Sequence, residues 1–416
     1  MKPLMLICLV AFIFNAHAQS TKDNKIVIGT VDSLYSKVLG EQRKIWVHVP
    51  NDDDNSIYLP QRYPVVYLLD GDAHFYSVSG IIQQLSEVNG NTVCPDMIVV
   101  AIPNTNRARD LTPTHVAPNG NDSGFNNRIR NSGGGETFTT FLEKELIPHI
   151  DSLYPTAPYR VFIGHSLGGL MVVNTLINHP NLFSAYLAID PSLWWDDQKL
   201  LKQAETDLSS KRYDNKTLFL AIANTMDPGM DTIQVVKDTT GKTRHIRSIL
   251  EFAKALSADP NNGLRWRYKY YNEDNHGSVP LIAEYDALHF MFDFYPMADA
   301  NKLFDSTYKI DSAVAMLQAH YRNVSKSMNY QVLPPEALVN GMAYGCMQNG
   351  MMDKAYAFFK MNIDNYPQSF NVYDSMGDYY AAKKDKQHAI EYYKKALTLR
   401  PFPDTQKKLD DLTASK

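Results

Sequence analysis

The chain has 416 residues, of which 44% are hydrophobic and 21% charged, and its formal net charge is −4. This length favours two domains, and the composition is that of a globular protein rather than a disordered one. Basic and acidic residues nearly balance, at 41 against 45. The balance argues against nucleic acid or an anionic membrane as a partner, because either would favour a basic surface.

The first eighteen residues have the features of a signal peptide. Lys2 gives the positive start, residues 4–14 form an apolar stretch, and Ala16-His17-Ala18 matches a cleavage site. The apolar stretch is shorter than the roughly 20 residues that a membrane-spanning helix needs. We therefore expect an exported protein, periplasmic or extracellular, with no transmembrane anchor.

From residue 25 to about residue 295, short β-rich runs alternate with helical stretches. The alternating residues 45–49 predict an antiparallel edge strand. Near-continuous apolar runs predict buried strands at residues 65–69, 97–102, 159–163, 185–189 and 218–223, with a last strand at 265–271. Helices are predicted at residues 78–88, 136–153, 167–178, 196–208, 243–256 and 282–294. This alternation is typical of an α/β fold with an open, doubly wound, mostly parallel sheet.

The last eighty residues differ, because they repeat with a 34-residue offset. The offset pairs Ala355 with Ala389 and Phe359 with Tyr393, and small and aromatic residues at this period resemble the tetratricopeptide repeat. The predicted division is a signal peptide (1–18), an α/β domain (19–297), a helical linker (298–335) and a small all-α domain of tetratricopeptide-like repeats (336–416). Of the cysteines outside the signal peptide, Cys94 and Cys346 fall in different domains, and we expect neither a disulfide nor a metal site.

The sharpest local motif is Gly164-His-Ser166-Leu-Gly168-Gly169. It matches G-x-S-x-G and lies between a predicted strand and a predicted helix, as a nucleophile elbow requires. Such a turn strains the serine backbone, so the residues on either side must be small. We predict Ser166 as a catalytic nucleophile.

A serine hydroxyl needs a base, and in this kind of fold the histidine follows the last strand. His276 lies in the polar turn after the strand at residues 265–271, whereas His179 and His289 are placed at or inside helices. We predict His276 as the general base.

The acid is expected just beyond the strand at residues 218–223. Asp227 and Asp231 are both candidates, with Asp227 nearer the strand end. Each has a structural alternative as a turn former or helix N-cap. A Ser–His dyad without an acid is a third possibility.

Two N–H donors are needed to stabilise the oxyanion of a tetrahedral intermediate. One is predicted to be the amide of Leu167, which follows the nucleophile. For the other we favour the amide of Asp72, in the loop after the strand at residues 65–69, where Gly71 lets the chain turn. The alternative for this loop is a plain Asp-Gly turn.

Four segments together resemble the esterase D family of α/β-hydrolases, which includes siderophore esterases, feruloyl esterases and mycolyltransferase-like antigens. They are residues 63–72, the elbow, Asp190-Pro-Ser-Leu-Trp-Trp195 and Asp274-Asn-His276-Gly-Ser-Val279. The resemblance implies Ser166 and His276 as catalytic residues and Asp72 and Leu167 as oxyanion donors, and it leaves the acid open.

Three further residues are candidates for substrate binding. Residues 107–113 are similar to a segment that lines the active-site entrance in siderophore esterases, so Arg107 and Arg109 are expected to bind an anionic group. Trp194 is placed to stack on an aromatic or sugar acyl group. The alternatives are solvated loop charges for the arginines and a packing role for the tryptophan.

These observations predict an exported serine esterase that forms an acyl-enzyme on Ser166 and needs no metal or organic cofactor. The substrate is expected to be a small ester of the siderophore, feruloyl or acetyl type. One alternative is an acyltransferase that uses the same site. Another is a non-catalytic scaffold whose helical repeats bind a protein or peptide.

Overall fold

The computed structural model describes residues 25–50, 56–117 and 123–414. The predicted signal peptide, residues 1–18, lies outside this part of the chain. In the described residues, eight strands form one sheet in the order β1-β2-β4-β3-β5-β6-β7-β8. The strands are β1 Thr30–Ser36, β2 Glu41–His48, β3 Tyr63–Leu69, β4 Ile98–Ile102, β5 Thr156–His165, β6 Ala185–Ile189, β7 Lys216–Ala223 and β8 Leu264–Tyr271.

The sheet is mostly parallel, which confirms the predicted fold class. β2 runs antiparallel to β1 and to β4, and every neighbouring pair from β4 to β8 is parallel. All side chains of β3, β4 and β6 are buried. Burial on both faces explains why these strands read as continuous apolar runs.

The strand predicted at residues 45–49 was wrongly placed at the edge of the sheet. It is part of β2, and β1 pairs along its outer side, from Thr30 with Val47 to Ser36 with Glu41. The side chains of β1 are largely exposed. An exposed edge strand carries little apolar patterning, so β1 could not be recognised from the pattern of apolar residues.

Helices cover both faces of the sheet and continue into the C-terminal region. They are α1 Gly71–Ser86, α2 Arg107–Asp110, α3 Ser123–Ile129, α4 Gly135–Phe141, α5 Ile147–Leu153, α6 Leu167–Asn178, α7 Trp195–Ser210, α8 Thr232–Val235, α9 Arg244–Leu256, α10 Val279–Met291, α11 Ile310–Met328, α12 Glu336–Gln348, α13 Met352–Asn365, α14 Phe370–Ala382, α15 Lys386–Leu399 and α16 Pro403–Ala414. A π-helical turn, Leu142–Leu146, joins α4 to α5. One core packs α4 to α7 and α9 against the sheet, and the other packs α1, α10 and α11.

The C-terminal helices form a third core, in which Ala355 and Phe359 of α13 are buried. This region also contacts the sheet-bearing part of the chain. The buried Glu336 carboxylate accepts hydrogen bonds from the Leu59 amide (3.2 Å) and from Ser369 Oγ (2.7 Å). The helical region is therefore tied to the loop that precedes β3.

Cys94 and Cys346 are buried free thiols in separate cores, and no disulfide joins them. Among the described helices, none combines the length and apolar character that a bilayer crossing requires.

Candidate active site

The candidate active site lies where the parallel strands end at one edge of the sheet. Ser166 follows β5, Asp190 follows β6, and His276 lies in the loop between β8 and α10. The carboxyl ends of parallel strands share one edge, where open α/β sheets form their ligand sites. The topology thus gathers residues that are up to 110 positions apart in the chain.

Ser166 occupies a tight turn between β5 and α6, with φ 60° and ψ −113°. This positive φ is strained for a residue with a side chain. The turn depends on small neighbours: a Cβ added to Gly164 would lie 2.4 Å from the Gly168 backbone, and one on Gly169 would lie 3.0 Å from the Ile189 carbonyl oxygen. The glycines of the motif are therefore steric requirements of the elbow.

Ser166, His276 and Asp190 form a continuous chain of hydrogen bonds. Ser166 Oγ lies 3.1 Å from His276 Nε2, and His276 Nδ1 lies 2.5 Å from Asp190 Oδ2. Because an ionised carboxylate only accepts, His276 must carry its proton on Nδ1. Nε2 is then free to accept the Ser166 proton. The structure thus brings the predicted nucleophile and base together.

The carboxylate on His276 is Asp190, which corrects the expectation of Asp227 or Asp231. Asp227 is exposed and lies 3.6 Å from Lys242 Nζ. Asp231 caps α8, where its Oδ1 accepts the amides of Ile233 (2.9 Å) and Gln234 (2.7 Å). The start of the loop after β7 is bonded to the loop that carries His276, since the Asn224 amide donates to the Asp274 carbonyl oxygen (2.8 Å).

Asp190 is fully buried and has φ 41°. Its Oδ1 accepts the Ala223 amide (3.0 Å), and its Oδ2 accepts a second histidine, His245, through Nε2 (2.8 Å) as well as His276. Burial raises the pKa of Asp190, but hydrogen bonds from His245 and His276 more than offset it and hold the pKa well below its usual range. The carboxylate is therefore ionised at neutral pH.

Two further side chains lie next to the hydrogen-bonded chain. The His165 ring centroid is 4.5 Å from that of His276, and burial lowers the pKa of His165 to about 4. His165 is thus uncharged beside the base at neutral pH. Ser192 Oγ lies 3.3 Å from Ser166 Oγ, and the Ser192 amide donates to the Ser166 carbonyl oxygen (3.0 Å).

The predicted oxyanion donors both lie at helix N-termini. Leu167 is the first residue of α6, and Asp72 is in the first turn of α1. Backbone amides in a first turn lack partners within the helix, so they are available to an anionic oxygen. That the Leu167 and Asp72 amides are the two oxyanion donors stays a prediction.

Arg107 links the loop after β3 to the elbow. Its Nε and Nη2 bind the two carboxylate oxygens of Asp70 (2.7 and 2.9 Å), and Nη2 also donates to the His165 carbonyl oxygen (3.2 Å). Hydrogen bonds to the carboxylate outweigh its burial and lower the pKa of Asp70. Arg107 Nη1 makes no hydrogen bond within the described chain, so binding of an anionic substrate group stays a prediction for this residue.

Arg109 differs, because all three guanidinium nitrogens are engaged. Nε binds Asp110 Oδ1 (2.7 Å), while Nη1 and Nη2 bind the Glu41 carboxylate (2.9 and 2.6 Å). This pairing uses three of the five guanidinium N–H donors, so binding of an anionic substrate group by Arg109 stays a prediction. Trp194 is half-buried beside the buried Trp195, at a centroid distance of 6.0 Å, and its stacking role stays a prediction.

Asp190, His245 and His276 also offer three ligand atoms that all lie within 4.8 Å of one another. A zinc ion lies about 2.0–2.2 Å from each nitrogen or oxygen ligand, so the ligand atoms themselves are held further apart than hydrogen-bonded atoms. The separations of 2.5 and 2.8 Å within this cluster are hydrogen-bond distances. The geometry fits two N–H donors on one carboxylate oxygen better than three ligands around an ion.

Residues 36–298 match the family model described as "Putative esterase". The chain belongs to this esterase family. The match covers more than half of the chain and contains Ser166, Asp190 and His276, so the predicted family is confirmed and the predicted enzyme class agrees with it. A second model, for the tetratricopeptide repeat, matches residues 370–403, which span α14 and α15.

Several proteins similar to this chain are named as a serine hydrolase or as siderophore esterases. An IroE-like serine hydrolase from Shewanella oneidensis superposes with a TM-score of 0.65 at 30% identity, over 80% of this chain and 98% of its own. The ferri-bacillibactin esterase BesA of Bacillus subtilis is 28% identical over 56% of this chain and 79% of its own length. A siderophore enterobactin esterase of Emericella nidulans is 28% identical over 35% of this chain. The match spans 51%, about half, of that fungal protein.

Three polar residues of the candidate site were not predicted from the sequence: Asp190, Ser192 and His245. Asp190 and Ser192 lie in the run Asp190-Pro-Ser-Leu-Trp-Trp195, which contributes to the family resemblance. Their position directly after a buried strand was an available signal, since catalytic side chains emerge there. His245 lies in the first turn of α9, and no motif marks it.

Proposed function

We propose that the protein is a serine hydrolase of carboxylic esters that works through an acyl-enzyme on Ser166. The observation that carries this proposal is the hydrogen-bonded chain from Ser166 Oγ through His276 to Asp190. Membership of the esterase family supports it.

In the proposed reaction, Ser166 Oγ attacks the ester carbonyl carbon while His276 Nε2 takes the hydroxyl proton. Asp190 stabilises the imidazolium and keeps Nδ1 protonated. In this proposal, the amides of Leu167 and Asp72 stabilise the oxyanion. His276 then protonates the leaving alcohol, and a water molecule activated by the same base releases the acid and regenerates Ser166.

For the substrate, we propose a siderophore-type ester with an aromatic, anionic group. The names of two curated relatives support this class. Arg107, whose Nη1 makes no hydrogen bond within the described residues, suits an anion, and the half-buried Trp194 suits an aromatic ring. We further propose export, on the basis of residues 1–18, and a protein partner for the tetratricopeptide region.

The test is an ester panel on the chain from residue 19 onward: nitrophenyl acetate, a feruloyl ester and a catecholate trilactone. Wild type is expected to hydrolyse at least one ester at a rate that Ser166→Ala reduces by about 1,000-fold or more. Mass spectrometry after rapid acid quenching should detect the acyl group on the peptide that contains Ser166. Equal rates in wild type and Ser166→Ala on every ester would refute the proposal.

A further inference from the structure

Asp190 binds two histidines, of which the proposed mechanism uses one. Its Oδ2 accepts His276 Nδ1 at 2.5 Å and His245 Nε2 at 2.8 Å, while Oδ1 accepts the Ala223 amide at 3.0 Å. The carboxylate is fully buried. These three N–H groups therefore replace the water that the carboxylate loses on burial.

His245 reaches this carboxylate from α9, which carries none of Ser166, His276 and Asp190. It is the second residue of α9, and its side chain is 19% exposed. Its ring stands nearly perpendicular to that of His276, at a centroid distance of 5.1 Å. Within the described residues it makes no hydrogen bond to Ser166. Its contact with the reaction therefore runs through Asp190.

The second histidine constrains how the carboxylate can move. The Ala223 amide holds Oδ1 and the two histidines share Oδ2. Any rotation about the Cβ–Cγ bond of Asp190 that takes Oδ2 away from His276 Nδ1 therefore also breaks the charge-assisted hydrogen bond from His245. Oδ2 consequently stays directed at His276 Nδ1. This direction fixes the proton on Nδ1 and leaves Nε2 to accept the Ser166 proton.

We propose that His245 is a positioning residue of the active site, which anchors the Asp190 carboxylate and through it orients the base His276. The proposal rests on the proposed function, because it assigns His276 the role of base. It predicts that the Nε2–H donor of His245 matters, rather than the volume of its ring.

The matched variants are His245→Leu, which removes the donor, and His245→Gln, whose side-chain amide restores an N–H close to the position of Nε2. With nitrophenyl acetate, His245→Leu is expected to lower kcat by about 10–100-fold, the equivalent of one hydrogen bond to a charged group, with KM changed less than about threefold. His245→Gln is expected to stay within about fivefold of wild type. Should the leucine variant fail to fold by circular dichroism, His245→Asn, whose amide is too short to reach Asp190, takes its place.

A double-mutant cycle separates a role through Asp190 from a general one. In an Asp190→Asn background, His245→Leu is expected to lower kcat by less than about twofold more. Equal losses in the leucine and glutamine variants, or a full additional loss in the Asp190→Asn background, would overturn the proposal. So would a folded His245→Leu variant with wild-type kcat.

An activity-independent measurement distinguishes this proposal from the proposed function. The low-field proton NMR resonance of the His276 Nδ1–H···Asp190 bond should be present in wild type and His245→Gln and shifted or lost in His245→Leu. An unchanged resonance in the leucine variant contradicts the positioning role. If wild type proves no more active than Ser166→Ala, the proposed function fails, and the resonance still decides whether His245 anchors Asp190.

Discussion

Asp190 and His276 meet across the end of a strand that carries neither of them. Asp190 follows β6 and His276 lies beyond β8, yet Asp190 Oδ2 is 2.5 Å from His276 Nδ1. Between β6 and β8 lies β7, and its last residue, Ala223, donates its amide to the other oxygen of Asp190 (3.0 Å). The end of β7 thus binds the Asp190 carboxylate, whereas the catalytic acid itself was expected from the sequence just beyond this strand. The order nucleophile, acid, histidine along the chain is kept.

Asp190→Asn is expected to lower kcat by roughly 1,000-fold or more. An amide NH2 cannot accept the Nδ1–H bond, so it favours the His276 tautomer with the proton on Nε2, which cannot accept the Ser166 proton. Steady-state hydrolysis of nitrophenyl acetate by wild type and variant measures the effect, and circular dichroism establishes that the variant folds.

Asp227→Asn and Asp231→Asn are the matched controls for Asp190→Asn. Asp227 is exposed beside Lys242 and Asp231 caps α8, so each variant should keep kcat within about threefold of wild type. A large loss in either control, with near-normal activity in Asp190→Asn, would show that the catalytic acid lies in the loop after β7.

The parts of the site that could be predicted are those that depend on local sequence. Ser166 was predictable because the elbow imposes glycines at fixed positions around it, and His276 because a polar turn follows the last strand. Asp190 was not, because the sequence contains several aspartates beyond buried strands. Which of them meets His276 depends on contacts between distant parts of the chain: Asp190 is held by the Ala223 amide and by His245, which lie 33 and 55 residues away.

The same distinction applies to the fold. Buried strands such as β6 were predicted with their bounds intact, because a strand buried on both faces must be apolar along its length. β1 was missed, because most of its side chains face solvent. The ion pair of Arg109 with Glu41 was equally out of reach, since Glu41 lies 68 residues away in the chain.

Arg107→Lys is expected to lower kcat by about 10-fold on a neutral ester, with KM changed little. Lysine keeps the charge but loses the bidentate bond to Asp70 and the bond to the His165 carbonyl oxygen, so the loop with the Asp72 amide is held less firmly against the elbow. Nitrophenyl acetate and a carboxylated nitrophenyl ester are compared. A rise of KM for the anionic ester alone would support the proposed anion-binding role of Arg107, whereas an unchanged kcat on the neutral ester would contradict its role in holding the loop.

Gly377→Ala is expected to destabilise the repeat region by about 1–3 kcal/mol. The added methyl would lie 2.4 Å from Tyr393 Cε1, and this ring is buried and held by its hydroxyl bond to Asp378 (2.7 Å). Gly341→Ala is the matched control: Gly341 lies within α12 with no atom within 4 Å of the added Cβ, so it should gain up to about 1 kcal/mol. Urea unfolding followed by tyrosine fluorescence measures both. Equal stability of the two variants would contradict the close packing of α14 on α15.

Glu284→Gln is expected to stabilise the protein increasingly as the pH rises from about 5 to 8. Glu284 lies in α10, almost fully buried, with its Oε1 3.6 Å from His74 Nδ1. Burial raises its pKa to about 8 and lowers that of His74, so neither side chain is held as an ion at pH 7.

The direction in which stability changes with pH follows from the number of protons that each state binds. Between the unfolded pKa, near 4.5, and the folded value near 8, the unfolded chain has lost a proton that the folded chain still holds. Stability therefore falls as the pH rises through this window, by about 1.4 kcal/mol for each pH unit at most. Glutamine mimics the protonated acid and abolishes the loss, so the variant should exceed wild type by roughly 2–4 kcal/mol at pH 8 and match it near pH 4.5. Urea unfolding at both pH values measures the difference. Glu251→Gln, at an exposed position on α9, should give no such pH-dependent difference, and a similar gain there would mean that the effect does not arise from burial of Glu284.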